Sequence, residues 1–207
     1  DKDYIINLFK SNLEIEIQHK ENEAQAYFKL IPNKKKVLVI GGSLGAKRIN
    51  ELIEANLSYF EANNLQVIWQ TGKLYFEKYK KYQSASVQVH EFLDRMDLAY
   101  SAADYIISRA GAGSVSELCM VAKPVLFIPS PNVAEDHQTK NAMSLVKEEA
   151  ALMLKETDLE EKFQQEFLAL ISSEALQQKL GANILKLAKP NATKDIADEI
   201  EKLIKKK

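Results

Sequence analysis

Six short apolar runs, each closed by turn residues and separated from the next by a longer mixed pattern, constrain this chain more than any other feature. They are Val37-Leu38-Val39-Ile40, Val67-Ile68-Trp69, Val87-Gln88-Val89, Tyr105-Ile106-Ile107, Val125-Leu126-Phe127-Ile128 and Ala151-Leu152-Met153-Leu154. Most are β-branched or aromatic, which favours strands. Val37–Ile40 and Val125–Ile128 are continuous rather than alternating. A strand apolar on both sides is buried on both faces, as in a parallel sheet covered by helices.

The intervening segments carry helical periodicity. Ile49, Leu52, Ile53 and Leu57 recur at threes and fours over residues 46–62. Met96, Leu98, Ala99 and Ala102 do so over 95–103, Val115, Leu118, Cys119 and Val121 over 114–122, and Ala142, Leu145 and Val146 over 137–149. The expected fold is therefore α/β: an open, mostly parallel six-stranded Rossmann-like sheet with helices on both faces and right-handed crossovers. Past residue 155 the pattern is helical only. Phe163, Phe167, Leu170 and Ile171 form one stripe, and Leu176, Leu180, Ile184 and Leu187 another. Beyond Pro190, Ile196, Ile200, Leu203 and Ile204 predict a final amphipathic helix, with Lys205-Lys206-Lys207 suiting its negative dipole end. Leu13, Ile15 and Ile17 alternate like a strand, whereas Ala24, Tyr27 and Phe28 have helical spacing before Pro32 and Asn33 end the segment. Residues 1–32 are read as an N-terminal extension or residual linker, and 33–207 as one Rossmann-like domain.

Charge narrows the function. With 28 basic and 29 acidic residues the chain lacks the basic excess of a nucleic-acid binder. The single cysteine, Cys119, cannot form an internal disulfide and points to a reducing compartment. No apolar run reaches the roughly 18–20 residues of a membrane span.

Three segments can carry chemistry. Gly41-Gly42-Ser43-Leu44-Gly45-Ala46 follows the strongest strand and opens a helix. Such a turn serves either as a tight β–α connection or as a phosphate cradle of free amides at a helix N-terminus. It is neither a Walker loop nor a complete G-x-G-x-x-G fingerprint. Arg109-Ala110-Gly111-Ala112-Gly113-Ser114-Val115-Ser116-Glu117 occupies the same position after another strand, which places both loops on the ligand-binding edge of an open sheet. Ser114-x-x-Glu117 reads first as a capping box. Its carboxylate could instead accept from a ribose diol, as acidic residues do in nucleotide sites. The third segment, Pro129 to Asn141, is a long polar loop in which Asp136 suits a helix cap and His137 suits either a surface residue or a general base. His19, His90 and His137 have no metal-ligand spacing, no Gly-x-Ser-x-Gly elbow occurs, and the only D-x-D is Asp1-x-Asp3.

Taken together, the first glycine loop, His90-Glu91-Phe92-Leu93, Ser108 to Leu118 and Asp136-His137-Gln138-Thr139-Lys140-Asn141-Ala142 resemble, in order and spacing, the MurG family of bacterial peptidoglycan N-acetylglucosaminyltransferases. The resemblance runs from about residue 34 to the C-terminus. It implies the C-terminal, UDP-GlcNAc-binding half of a GT-B fold, acting without a metal cofactor. By this resemblance Gly42, Ser43 and Gly45 lie near the donor diphosphate and the backbone of Leu93 pairs with uracil. Gly111, Ala112, Gly113 and Ser114 line the diphosphate and ribose, Glu117 binds the ribose hydroxyls, and Gln138 binds the sugar. The resemblance thus favours the diol role of Glu117 over the cap.

The acceptor, lipid I, and the general base are expected in an N-terminal domain that this sequence does not contain. The whole enzyme is expected at the inner face of the bacterial cytoplasmic membrane, with peripheral contact. Residues 1–20 do not show the Gly-Asn-Pro-Val-Arg linker of that family. Two other expectations stand beside it: a glycosyltransferase of the same fold with a glycolipid acceptor, and a UDP-sugar-binding subunit that needs a separate membrane partner.

Overall fold

A computed structural model describes residues 20–205 of the chain. The strand-like alternation at Leu13, Ile15 and Ile17, and Lys206 and Lys207, lie outside the described residues. Helix α1 (Glu21–Tyr27) leads into strand β1 (Lys35–Ile40). Then come α2 (Lys47–Ala55), α3 (Leu57–Ala62), β2 (Leu65–Gln70), α4 (Phe76–Tyr79), β3 (Val87–His90), α5 (Met96–Ala102) and β4 (Tyr105–Ser108). The second half adds α6 (Ala112–Val121), β5 (Val125–Phe127), α7 (His137–Lys147), β6 (Leu152–Met153), α8 (Leu159–Ser172), α9 (Glu174–Lys186) and α10 (Ala192–Lys205).

All six strands pair in parallel, in the order β3-β2-β1-β4-β5-β6. Each of the six apolar runs is one of these strands. Side chains of β1 explain why its run is continuous. Val37 and Val39 pack on one face with Ile49, Ile53, Trp69 and Phe163. Leu38 and Ile40 pack on the other with Leu98, Tyr100, Leu118 and Phe127. Both faces are dry, so both parities of the strand are apolar.

The order also creates a crevice. The chain builds outward from β1 to β3, then returns across β1 to place β4 on its other side. The loops leaving β1 and β4 therefore diverge, and ligands of open α/β sheets sit at that divergence, outside the strand C-termini.

One sequence expectation changes. The helical pattern over 46–62 is two helices, because Asn56 interrupts it: its side-chain amide donates back to Leu52 O at 2.8 Å, and its backbone leaves helical geometry (φ −113°, ψ 14°). Asparagine competes for backbone carbonyls in this way. The segment before β1 forms α1, which buries Ala24 and Phe28 against the cluster that holds α5. The final helix forms as expected, but Ile196, Ile200, Leu203 and Ile204 are exposed on it.

Candidate functional site

The first glycine loop rises from Ile40 into α2. Gly42 and Gly45 take φ of +88° and +89°, a region L side chains rarely adopt. Gly42 O accepts from Gly45 N at 3.1 Å, closing the turn. Ser43 is exposed at its tip. This loop rests on a second turn that the sequence reading passed over, Thr71-Gly72 after β2. A Cβ at Gly45 would stand 2.1 Å from Thr71 O, and one at Gly72 would stand 2.1 Å from Gly45 N. The two loops thus touch backbone to backbone, which only a glycine pair allows. Asn50 on α2 holds the arrangement from beneath: its Nδ2 donates to Thr71 O at 2.9 Å and its Oδ1 accepts from Trp69 Nε1 at 2.9 Å.

Gln70 is the other residue missed. It closes β2, is 5% exposed, and its amide joins two site loops. Nε2 donates to Gly42 O at 3.2 Å, and Oε1 accepts from Leu93 N at 3.0 Å. A polar residue closing the apolar run Val67-Ile68-Trp69 just ahead of a glycine turn was the available signal. The Leu93 N–H is therefore engaged internally, and its carbonyl is the backbone group left to meet a base. We expect Gln70→Leu to destabilise the chain by about 1–3 kcal/mol, the cost of a buried amide left unpaired. Urea unfolding should show the loss, and hydrogen exchange at the Leu93 amide should accelerate; an unchanged exchange rate would refute the link.

His90, just ahead of that loop, lies edge-on to Phe28 with ring centroids 5.8 Å apart. Burial pushes its pKa down. That environment suits a neutral packed imidazole.

The second glycine loop follows β4. Gly111 is the N-cap of α6, in extended backbone, and the helix starts at Ala112. Ala112, Gly113 and Ser114 are thus its first three residues, whose amides have no partner inside the helix. This overturns the capping box. A glycine N-cap starts the helix three residues earlier than Ser114 would, so Ser114 is not at the cap position. Glu117 faces a different partner: its Oε2 accepts from the Tyr100 hydroxyl at 3.0 Å. The cap expected of Asp136 is corrected as well. Asp136 stands before α7 with φ +52°, and its carboxylate accepts from Thr139 Oγ1 at 2.7 Å instead of from a helix amide.

The third segment closes the crevice. Gln138 on α7 accepts at Oε1 from Ser130 N at 3.0 Å, keeping its two N–H donors for other partners. Asn141, one turn further, donates to Ala110 O at 3.0 Å and so fixes the second glycine loop. His137 is exposed. Gly41, Gly45, Lys47, Arg109, Ser130 and Gln138 are among the residues lining a cavity of about 370 Å³, within the size range of small-ligand sites. Arg109 forms its wall. Its Nη2 meets Glu156 Oε1 at 2.5 Å and its Nη1 donates to Ile128 O at 2.9 Å.

The structure thus gathers Gly42, Ser43, Gly45, Gly111, Ala112, Gly113, Ser114, Glu117 and Gln138 around the C-terminal ends of β1, β4 and β5. Leu93 is tied to the same edge through Gln70. Open amides at two helix N-termini suit an anion, and an exposed carboxylate beside them suits a hydroxyl donor. No group of three or more His, Cys, Asp or Glu residues among the described residues is placed to hold a metal ion.

Comparison with known proteins shows which family the chain is similar to. The family model described as glycosyltransferase family 28 C-terminal domain matches residues 36–200. A UDP-N-acetylglucosamine--N-acetylmuramyl-(pentapeptide) pyrophosphoryl-undecaprenol N-acetylglucosamine transferase of Christiangramia forsetii is 58% identical over 193 residues, covering 93% of this chain and 53% of that protein. The transferase of the same name from Flavobacterium psychrophilum is 56% identical, covering 92% of this chain and 52% of that one. The crystal structure of Acinetobacter baumannii MurG superposes with a TM-score of 0.73 at 30% identity, over 86% of this chain and 53% of that one. The chain spans about half the length of the curated relatives it matches.

Proposed function

Since the chain belongs to the glycosyltransferase family 28 C-terminal domain family, we propose that it is the donor-binding half of an inverting GT-B enzyme. That enzyme would transfer GlcNAc from UDP-GlcNAc to undecaprenyl-pyrophosphoryl-MurNAc-pentapeptide, lipid I, to form lipid II. One observation carries the reading: two glycine loops, each feeding a helix N-terminus, flank the crevice where the strand order reverses.

In this reading the amides of Gly42 to Leu44 and of Ala112 to Ser114 receive the diphosphate, while the Gly45 amide keeps the turn closed. Bond cleavage at the anomeric carbon leaves UDP with growing negative charge. Fixed N–H groups and the positive helix ends stabilise that charge as it develops, without reorganising. Donor binding then proceeds without a divalent metal. The Leu93 carbonyl accepts from uracil N3–H, Glu117 takes the ribose hydroxyls, and Gln138 donates to the sugar.

The acceptor and the group that deprotonates its hydroxyl belong to the other half of the enzyme, which also makes the peripheral contact with the inner face of the cytoplasmic membrane. Among the described residues no helix is long and apolar enough to cross a membrane.

Titration calorimetry of the chain with UDP and UDP-GlcNAc tests the reading. Binding should be unchanged by chelator. Glu117→Ala should weaken it by about 1–3 kcal/mol, the range for a hydrogen bond to a charged group. Metal-dependent binding, or a Glu117→Ala protein that binds as the wild type does, would count against it. Tighter binding of UDP-galactose than of UDP-GlcNAc would instead favour a glycolipid-type enzyme.

A further inference from the structure

We propose that Tyr100 is a positioning residue for the ribose-binding carboxylate: its buried hydroxyl holds Glu117 in the orientation that accepts the nucleotide diol. The proposal rests on the donor-site reading above and adds a residue outside all three loops.

Tyr100 lies on α5, 1% exposed, in the cluster that also contains Leu93, Ala110 and Leu118. Its ring therefore belongs to the same core as residues of the base loop, the second glycine loop and α6. A phenol buried to this degree must find a partner for its hydroxyl. The partner is Glu117 Oε2, 3.0 Å away on the neighbouring helix. Glu117 itself is exposed. An exposed glutamate samples many rotamers, and ordering it on ligand binding has an entropic cost. Here one carboxylate oxygen is pinned to a rigid ring before any ligand arrives, which lowers that cost.

The acceptor count allows both roles. A carboxylate offers about four lone-pair sites, and Tyr100 uses one. The other oxygen and the remaining lone pair of Oε2 can face two vicinal hydroxyls. The polarity is also fixed. Burial and the Glu117 charge both raise the phenol pKa, burial contributing most, so Tyr100 remains a donor.

The test compares UDP with 2′,3′-dideoxy-UDP by calorimetry on the wild-type chain, Tyr100→Phe, Glu117→Ala and the double variant. Tyr100→Phe keeps the ring and removes one hydroxyl, and its folding is checked by its unfolding midpoint. In the wild type UDP should bind more tightly than the dideoxy nucleotide. Tyr100→Phe should weaken UDP binding by roughly 5–10-fold, the scale of one hydrogen bond, and leave dideoxy-UDP within about 2-fold. The double variant should bind UDP no more weakly than Glu117→Ala alone, because both changes remove one unit.

A Tyr100→Phe protein that binds both nucleotides as the wild type does would overturn the proposal. So would one that weakens both equally, since a purely structural role would not depend on the diol. A wild-type chain that fails to prefer UDP over its dideoxy form, or a Glu117→Ala protein that keeps that preference, would overturn the diol role of Glu117 itself. These outcomes separate failure of the proposal from failure of the reading beneath it.

Discussion

Gly72→Ala is expected to destabilise the chain by about 3 kcal/mol or more and to abolish measurable UDP binding. Two independent costs meet there. Gly72 has φ +81°, where a Cβ crowds its own backbone at about 1–2 kcal/mol. The added carbon would also stand 2.1 Å from Gly45 N, 2.2 Å from Gly45 Cα and 2.4 Å from Leu44 C. All three are backbone atoms, with no flexible side chain to swing away. Overpacking of this kind costs about 1–3 kcal/mol. Relief requires the first glycine loop to lift off the second turn, and that loop is the proposed diphosphate cradle. Stability and binding should therefore fall together. Gly113→Ala is the control: nothing lies within 4 Å of its Cβ position, and its φ is ordinary for α6. Its stability should stay within about 1 kcal/mol of the wild type, since alanine is the better helix former. Chemical denaturation of both variants checks the contrast; equal stabilities would mean the loops are not in mutual contact.

Arg109→Leu is expected to cost about 1–3 kcal/mol, the scale of a charged hydrogen bond lost from a partly buried ion pair. Both Arg109 and Glu156 are only 14% exposed. Without the guanidinium, the Glu156 carboxylate loses its ion-pair partner in a partly covered site, and Ile128 O loses its donor at the end of β5. Surface pairs such as Lys80 with Glu77 should give almost nothing by the same change, because water replaces the partner. The double replacement Arg109→Leu with Glu156→Leu should recover much of the loss, since the stranded charge goes with it. If the double variant is as unstable as the single one, the penalty comes from packing, and the charge argument fails. UDP titration of the same proteins reports whether the cavity wall also matters for the donor.

Much of this was legible in the residue order, and the exceptions share a cause. Val37–Ile40 is apolar at every position, and such a run has few homes other than a strand buried on both faces. The glycine loops could be read because they follow those strands directly. Glu117 was harder. Ser114 and Glu117 have capping-box spacing, but Gly111 starts the helix earlier, and the partner of Glu117 is Tyr100, seventeen positions away on another helix. Asn56 breaks a helix that periodicity alone would have continued. Gln70 and Gly72 were overlooked because their meaning depends on which loops the sheet brings beside them.

Local chemistry therefore determined the strands, their parallel packing between two helical layers, and the places where backbone could approach a phosphate. Those properties depend on side-chain period, β-branching and the absence of a Cβ, all of which act within a few residues. Only the tertiary structure decided that the loops after β1 and β2 interlock through Gly45 and Gly72. It likewise decided that Gln70 links Gly42 to Leu93 and that a buried tyrosine aims the exposed carboxylate. Those are contacts between segments far apart in sequence, set by strand order, and strand order emerges only when the whole sheet closes its two cores.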